Sequence, residues 1–293
     1  MIQRRHFTAA TSLALASPIA LFSTRGHTAS SLQTQLQQLE ATAQGRLGVH
    51  IIDTATGLSH GHRMDERFMM LSSFKLVASA FVLARVDRGQ ESLERRITFA
   101  KTDLVTYSPV TERFAGTAEG MSLGGLCEAT LTTSDNSAAN FILDSFGGPV
   151  ALTRFARELG DDTTRLDRRE TELNTGTAAA LLDTTTPRAM ALTLQKLLLG
   201  NALSPASRQQ LQRWLVANTT GDKRLRAGLP KGWRVGEKTG TNATDANDIG
   251  IVWPANGRAP LIITAYLAES TASSAVKEAA LAGVARLVAG LAG

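Results

Sequence analysis

Leucines at 32, 36 and 39 of SLQTQLQQLEATAQ (31–44) recur at three- and four-residue intervals, which predicts a helix with one apolar edge. The pattern then changes. GRLGVHIIDTATG (45–57) is an apolar run ending in turn residues and predicts a strand, with HGHRMDERFM as its return. From Ser72 to about Gly200 helical spacing dominates. KLVASAFVLARVDRG, LGGLCEATLTTSDNSAANFILDSFG, VALTRFARELG and TPRAMALTLQKLLLG carry it, separated by clusters of Gly, Pro and Thr. After Gly232 strands return in WRVGEKTGT, DIGIVWP and APLIITAYLA, and ASSAVKEAALAGVARLVAG predicts a closing helix.

Strands near both ends of a chain can share a sheet only if the chain returns on itself. The pattern therefore predicts an α+β fold, an antiparallel sheet flanked by the two terminal helices plus an all-helical subdomain. The expected boundaries are 30–71 and about 215–293 for the α/β part and about 72–214 for the helical part. No internal repeat, low-complexity tract or long linker interrupts the chain. The cleft between such layers is where a small-molecule site is expected.

The N-terminal segment stands apart from this pattern. MIQRRHFTAATSLALASPIALFS begins basic, with Arg4 and Arg5, and continues mildly apolar from Thr8 to Ser23. It reads as a secretory signal with cleavage near Ala29, and the paired arginines before Phe7 resemble a twin-arginine export signal. The apolar run is too short, and too interrupted by Pro18 and hydroxyls, for a stable membrane anchor. The expectation is an exported protein, periplasmic or secreted, with residues 30–293 as one catalytic unit. Losing Arg4, Arg5 and Arg25 with the leader lowers the net charge from +5 to +2. A balance that small, without a basic run interleaved with aromatics, argues against nucleic acid as a partner. The remaining composition, 43% hydrophobic and 19% charged, is that of an ordinary globular chain.

The five histidines, at 6, 27, 50, 60 and 62, all precede residue 63. A Ser–His–Asp triad would have to draw its base from the first strand region. His60 and His62 in HGH lack a nearby third ligand, so no metal site is expected and the stretch reads as a solvated hairpin. The single cysteine, Cys127, can form no internal disulfide and reads as a small buried apolar residue. A general base is thus expected to be a lysine or a carboxylate.

LSSFKLVASA (71–80) offers such a base. Ser72 and Lys75 stand at i and i+3, about 5–6 Å apart at Cβ on one helix face if Ser72 begins the helix. A serine hydroxyl is a poor nucleophile until its proton is taken. A lysine amine can take it once burial and neighbouring cations lower its pKa, and the apolar flank after Lys75 provides the burial. Two further motifs follow in order: Ser134-Asp135-Asn136 and Lys238-Thr239-Gly240. S-x-x-K, S-D-N and K-T-G together form the motif set of penicillin-binding proteins and class A β-lactamases.

On these motifs the chain resembles a class A serine β-lactamase over essentially all of residues 31–293. TRLDRRETELNTGTAAALLDTTTP (164–187) is similar to the omega loop of that family, with Glu170 and Asn174 at its catalytic positions. Arg168 and Asp183 match the pair that ties the loop ends together. The resemblance implies acyl transfer to Ser72, with the backbone N–H groups of Ser72 and Thr241 holding the oxyanion. It implies that Ser134 relays a proton to the leaving nitrogen, tuned by Lys75 and Lys238. Asn136 would bind Lys75 and the substrate amide, and Glu170 with Asn174 would hold the deacylating water. Either Lys75 or Glu170 could be the acylation base.

The substrate carboxylate would sit on Lys238, Thr239 and Thr241. Many relatives add an arginine from the strand after K-T-G, where this chain has Ala246 and Asn247. Arg224 in TTGDKRLRAGLP (219–230) stands where other members supply it instead. Tyr107 matches the aromatic at the cleft mouth. The segment between Thr241 and Asp248 is shorter than usual, and Thr171 replaces the proline common after the glutamate. The implied partner is a β-lactam small molecule, with no cofactor, acting on a monomer. A D,D-peptidase, a β-lactam sensor that acylates without turnover and an inactive homologue remain the alternatives. Glu170 argues against the first, the lack of a visible transmembrane signalling module against the second, and the intact motifs against the third.

Overall fold

The computed structural model describes residues 24–255 and 257–292. The first 23 residues of the expected leader lie outside the described residues. The chain runs through α1 (Thr24–Ala43), β1 (Arg46–Asp53), β2 (Ser59–His62), β3 (Phe68–Met69) and a 3₁₀ turn at Leu71–Ser73 into α2 (Phe74–Asp87). Next come β4 (Arg96–Ile97), β5 (Met121–Ser122), α3 (Leu123–Thr132), α4 (Asn136–Phe146) and α5 (Gly148–Glu158). After a long loop follow β6 (Thr184–Thr185), α6 (Pro187–Leu198), α7 (Pro205–Val216) and α8 (Leu225–Gly228). β7 (Arg234–Thr241), β8 (Ala246–Trp253), β9 (Leu261–Ala268) and α9 (Ser274–Ala292) complete it.

The sheet has the order β2-β1-β9-β8-β7, antiparallel throughout. This is the α+β architecture the sequence pattern predicts, with the first strand beside the last. Both faces of the sheet are covered. Leu47, Val49 and Ile51 of β1 and Leu261, Ile263 and Leu267 of β9 pack with Leu36 of α1 and Leu281, Val284 and Val288 of α9. Ile52, Ile249, Ile251, Ile262 and Tyr266 point the other way, into the larger core under the helical layer. A strand buried on both sides has no polar face, which is why LIITAYLA reads as a continuous run rather than an alternation.

α2 is the axis of the helical layer. Every residue from Phe74 to Ala84 is buried, Lys75 and Ser79 included. A helix apolar all round must be surrounded, and α3, α4, α5 and α7 surround it. Phe81 stacks on Phe155 with ring centroids 4.4 Å apart. α6 meets the sheet closely at Gly48, where a Cβ would stand 2.8 Å from Pro187 Cγ, and 2.3 Å from the Phe68 ring of β3.

Four expectations are corrected. The segment from Leu123 to Gly147 is two helices, because Asp135 caps α4 through the Ala138 N–H and Ser134 turns the chain with a φ of 64°. Ser72 lies in the 3₁₀ turn ahead of α2 rather than at its first residue. The return after β1 ends at His62, and β3 pairs instead with β6. HGH is not a solvated stretch throughout: His62 is 7% exposed and is held by Gln33 and Glu40 at 2.8 and 3.2 Å. Cys127 is buried, and burial pushes its thiol up to about 12, as its apolar reading implied.

Candidate active site

Two breaks in regular structure converge on the edge strand of the sheet. The turn 71–73 ahead of α2 carries Ser72, the break between α3 and α4 carries Ser134, and β7 presents Lys238 to Thr241 along its edge. Leu71, Tyr107 and Ser134 all have positive φ, at 49°, 65° and 64°. Non-glycine residues rarely adopt that conformation, and its concentration here marks a place where packing holds the backbone against its preference. Between these elements lies a cleft of about 320 Å³, lined by Ser72, Tyr107, Ser134, Asn136, Asn174, Thr239 and Thr241, with Thr220 and Gly240.

Beneath the cleft floor the charged groups touch. Lys75 Nζ lies 2.9 Å from Glu170 Oε1, and neither side chain has any solvent exposure. Ser72 Oγ donates to the same carboxylate oxygen at 3.2 Å. Lys75 also donates to Asn136 Oδ1 at 2.6 Å and to the Ser134 carbonyl at 2.8 Å, with Ser134 Oγ at 3.3 Å. Lys238 Nζ reaches Ser134 Oγ from the other side at 3.0 Å. Burial lowers the Lys75 pKa, opposed by Glu170. Lys238 falls well below the usual lysine range, through burial first and then the nearby charge of Lys75. A hydroxyl bracketed by two depressed amines is poised to gain or lose a proton.

The loop carrying Glu170 is held at both ends. Arg168 Nε meets Asp183 Oδ2 at 2.6 Å, while Asp183 Oδ1 accepts the N–H groups of Asp167 and Arg168. The carbonyl of Asp183 accepts from Met70 N at 2.8 Å, tying the loop to the turn that bears Ser72. The Glu170–Thr171 peptide is cis. Asn174 Nδ2 donates to Glu170 Oε2 at 2.6 Å, and Asn174 Oδ1 is buried without a protein partner.

Arg224 is 6% exposed. Its guanidinium donates to the carbonyls of Gly240 and Asn247 at 3.0 and 2.8 Å and to Thr241 Oγ1 at 2.7 Å. It therefore lies beside β7, next to the Thr241 hydroxyl. Tyr107 stands at the mouth, 56% exposed, and its carbonyl accepts the Asn136 N–H.

The sequence reading missed three groups. Asn140, one helical turn after Asn136 on α4, clamps Glu170 at both its N–H and its carbonyl, at 3.1 and 2.9 Å. The i, i+4 spacing of the two asparagines was the available signal. Asp135 of S-D-N accepts from Val110 N, Thr111 N and Ala138 N, and so fixes the loop that carries Tyr107. Behind β7, Glu237 and Asp248 form a buried carboxyl pair. Glu237 takes Arg226 at 3.0 Å and Asp248 takes Leu225 N at 3.0 Å. Glu237 Oε2 and Asp248 Oδ1 are left without a donor although the two carboxyls are within hydrogen-bond reach. A single proton held between the two carboxyls would satisfy both. Burial, and for Asp248 also the charge of Glu237, hold both carboxyls above their usual range.

A model of the β-lactamase enzyme family matches residues 31–290. The chain is 46% identical over 299 residues to β-lactamase L2 of Stenotrophomonas maltophilia, covering 98% of each chain. It is 48% identical over 244 residues to a β-lactamase of Proteus vulgaris, covering 83% of this chain and 80% of that one. Among solved structures, an ancestral (GNCA) class A β-lactamase is similar, with a TM-score of 0.87, 57% identity, and coverage of 89% of this chain and 99% of that one. The putative class A β-lactamase PenP from Rhodopseudomonas palustris also gives 0.87, at 56% identity and the same coverage. Among the described residues, no three His, Cys, Asp or Glu side chains are grouped to hold a metal ion, and no helix is long and apolar enough to cross a membrane.

A proton shared by Glu237 and Asp248 would have a measurable consequence. Below the ordinary carboxyl range both folded and unfolded chains hold it. As pH rises the unfolded chain releases it first, so stability falls until the folded pair's own pKa is passed. Asp248→Asn keeps an acceptor for Leu225 N and gives Glu237 a permanent donor. Thermal unfolding of both proteins from roughly pH 4 to pH 8 should show the variant gaining on the wild type as pH rises. Parallel curves would rule out the shared proton.

Proposed function

The chain belongs to the class A β-lactamases, and from that premise we propose that it opens the amide of β-lactam antibiotics through an acyl-enzyme on Ser72 and so confers resistance to them. Ser72 Oγ attacks the lactam carbonyl as its proton passes to the group in contact with it. The developing oxyanion is held by the N–H groups of Ser72 and Thr241, and the loss of one such donor costs on the order of 3 kcal/mol. Ser134 passes a proton to the leaving ring nitrogen and is resupplied through Lys75 and Lys238. Burial lowers the pKa of both amines, which eases that transfer. The substrate carboxylate lies on Lys238, Thr239 and Thr241, with Arg224 behind the last. Asn136 binds the side-chain amide and Tyr107 lines the mouth.

The observation that carries this reading is the contact of Ser72 Oγ with Glu170 Oε1 at 3.2 Å. A carboxylate there stands beside any ester formed on Ser72 and can prime water against it. The unpartnered Asn174 Oδ1 is an acceptor for that water, next to Glu170. Lys75 and Glu170 both lie on the path of the serine proton, since they meet at the same carboxylate oxygen. The loop 164–187 thus serves as an omega loop that separates hydrolysis from mere acylation.

Steady hydrolysis of nitrocefin or benzylpenicillin by the wild type is expected. Glu170→Ala should slow deacylation by roughly 10²–10⁴-fold and leave an adduct on Ser72 detectable by mass spectrometry. A folded wild type that acylates without turnover would move the chain to a sensor or peptidase role. Arg224→Ala removes a charged donor beside the carboxylate seat and should raise KM roughly tenfold or more with kcat little changed. An unchanged KM takes Arg224 out of that seat.

The leader supports export to the periplasm, or beyond it, by the twin-arginine route. Replacing Arg4 and Arg5 together by lysine should retain activity inside the cell. Undiminished periplasmic activity would favour the general secretory route.

A further inference from the structure

The oxyanion site in this reading is assembled from two separate elements. One N–H belongs to the turn 71–73 and the other to the edge of β7, so something must hold the two at a fixed spacing. Asn247 lies opposite Gly240 in the β7–β8 pairing and is 1% exposed. Its side chain passes beneath β7 toward the helical layer, and its Nδ2 donates to the carbonyls of Met69 and Met70 at 2.9 and 3.1 Å. Both amide protons are thereby used. Met70 is followed by Leu71, whose positive φ swings the chain into Ser72.

The same residue reaches the other half of the site through its backbone. Its carbonyl accepts from Arg224 Nη1, which also holds the Gly240 carbonyl. Gly240 leaves room for this bridge. A Cβ on it would stand 3.0 Å from Leu71 Cβ and from the Met70 carbonyl oxygen, and 3.3 Å from Asn247 Nδ2. The turn and the K-T-G strand thus meet at the Asn247 carboxamide, and Arg224 holds the same residue through its backbone carbonyl.

We propose that Asn247 is a positioning residue for the oxyanion site, locking the strained Met70–Leu71–Ser72 turn against β7 so that two N–H donors from different elements aim at one oxygen. The proposal rests on Ser72 and Thr241 being those donors. A donor is required at residue 247, because two carbonyl oxygens face it and a carboxylate would repel them. The role differs from that of Arg224. Arg224 acts on the substrate's carboxylate, whereas Asn247 acts on charge that appears only as the carbonyl becomes tetrahedral.

The test compares wild type with Asn247→Ala in two measurements. Acylation by benzylpenicillin is followed in a single turnover, and affinity is measured for phenylboronic acid, a probe with no carboxylate that forms a tetrahedral adduct on the serine. Displacement of one donor should lower both, in proportion, by roughly tenfold to a hundredfold, with benzylpenicillin KM changed far less. A variant that loses thermal stability but keeps both quantities would show a structural role only and overturn the proposal. If Asn247→Ala does not fold, Gly240→Ala crowds the same turn from β7 and is read on the same two quantities. Failure of both to fold assigns the bridge to stability alone and also overturns it. Wild-type hydrolysis measured alongside separates the two levels, since its absence sinks the hydrolase reading itself, whereas its presence with unchanged boronate affinity sinks only the role of Asn247.

Discussion

The arrangement depends on a charged contact that has been removed from water. Lys75 and Glu170 meet at 2.9 Å with no exposed side-chain surface on either. Withdrawing such a pair from solvent costs several kcal/mol for each ion, and mutual attraction repays this only with good geometry and further hydrogen bonds. Those bonds are present: Asn136 and the Ser134 carbonyl on the amine, and Asn174 on the carboxylate. The same burial lowers the pKa of the Lys75 amine, which sets it apart from a solvated lysine.

The fold supplies the burial from four directions. α2 brings Lys75 because it is the wholly buried axis of the helical layer. The α3–α4 break brings Ser134 and Asn136, the tethered loop brings Glu170, and β7 closes the side with Lys238. None of these elements makes a site alone. Each is fixed to its neighbour by polar contacts outside the reacting groups, such as Asp183 to Met70, Asn140 to Glu170 and Asn247 to the turn. Strain is concentrated where these contacts are densest, at Leu71 and Ser134.

Much of this was legible in the linear pattern. The reversion from helical to strand periodicity after Gly232 implied that strands from the two ends of the chain share one sheet, and there β1 lies beside β9. Through the resemblance they carry, the three ordered motifs implied that Ser72, Lys75, Ser134, Asn136, Lys238 and Thr239 serve one site. Periodicity failed where a single polar residue overrode it. LCEATLTTSDNSAANF keeps helical spacing across Ser134, yet the Asp135 cap ends one helix and starts another. His62 looked solvated because its partners, Gln33 and Glu40, lie on a helix remote in sequence.

The sequence by itself determined which chemical groups are available and the order in which the chain delivers them. A serine one turn before a lysine, a loop acid and a cationic strand edge are properties of residue type and spacing. Only the tertiary structure decided which of them touch. The convergence of Ser72 and Lys75 on one oxygen of Glu170, the burial of Glu237 together with Asp248, and the bridge made by Asn247 join residues 11 to 178 positions apart. Such contacts are settled by how two cores and a sheet pack in three dimensions. Hydrophobic burial and the requirement that buried polar atoms find partners act on distance in space and carry no trace in local spacing.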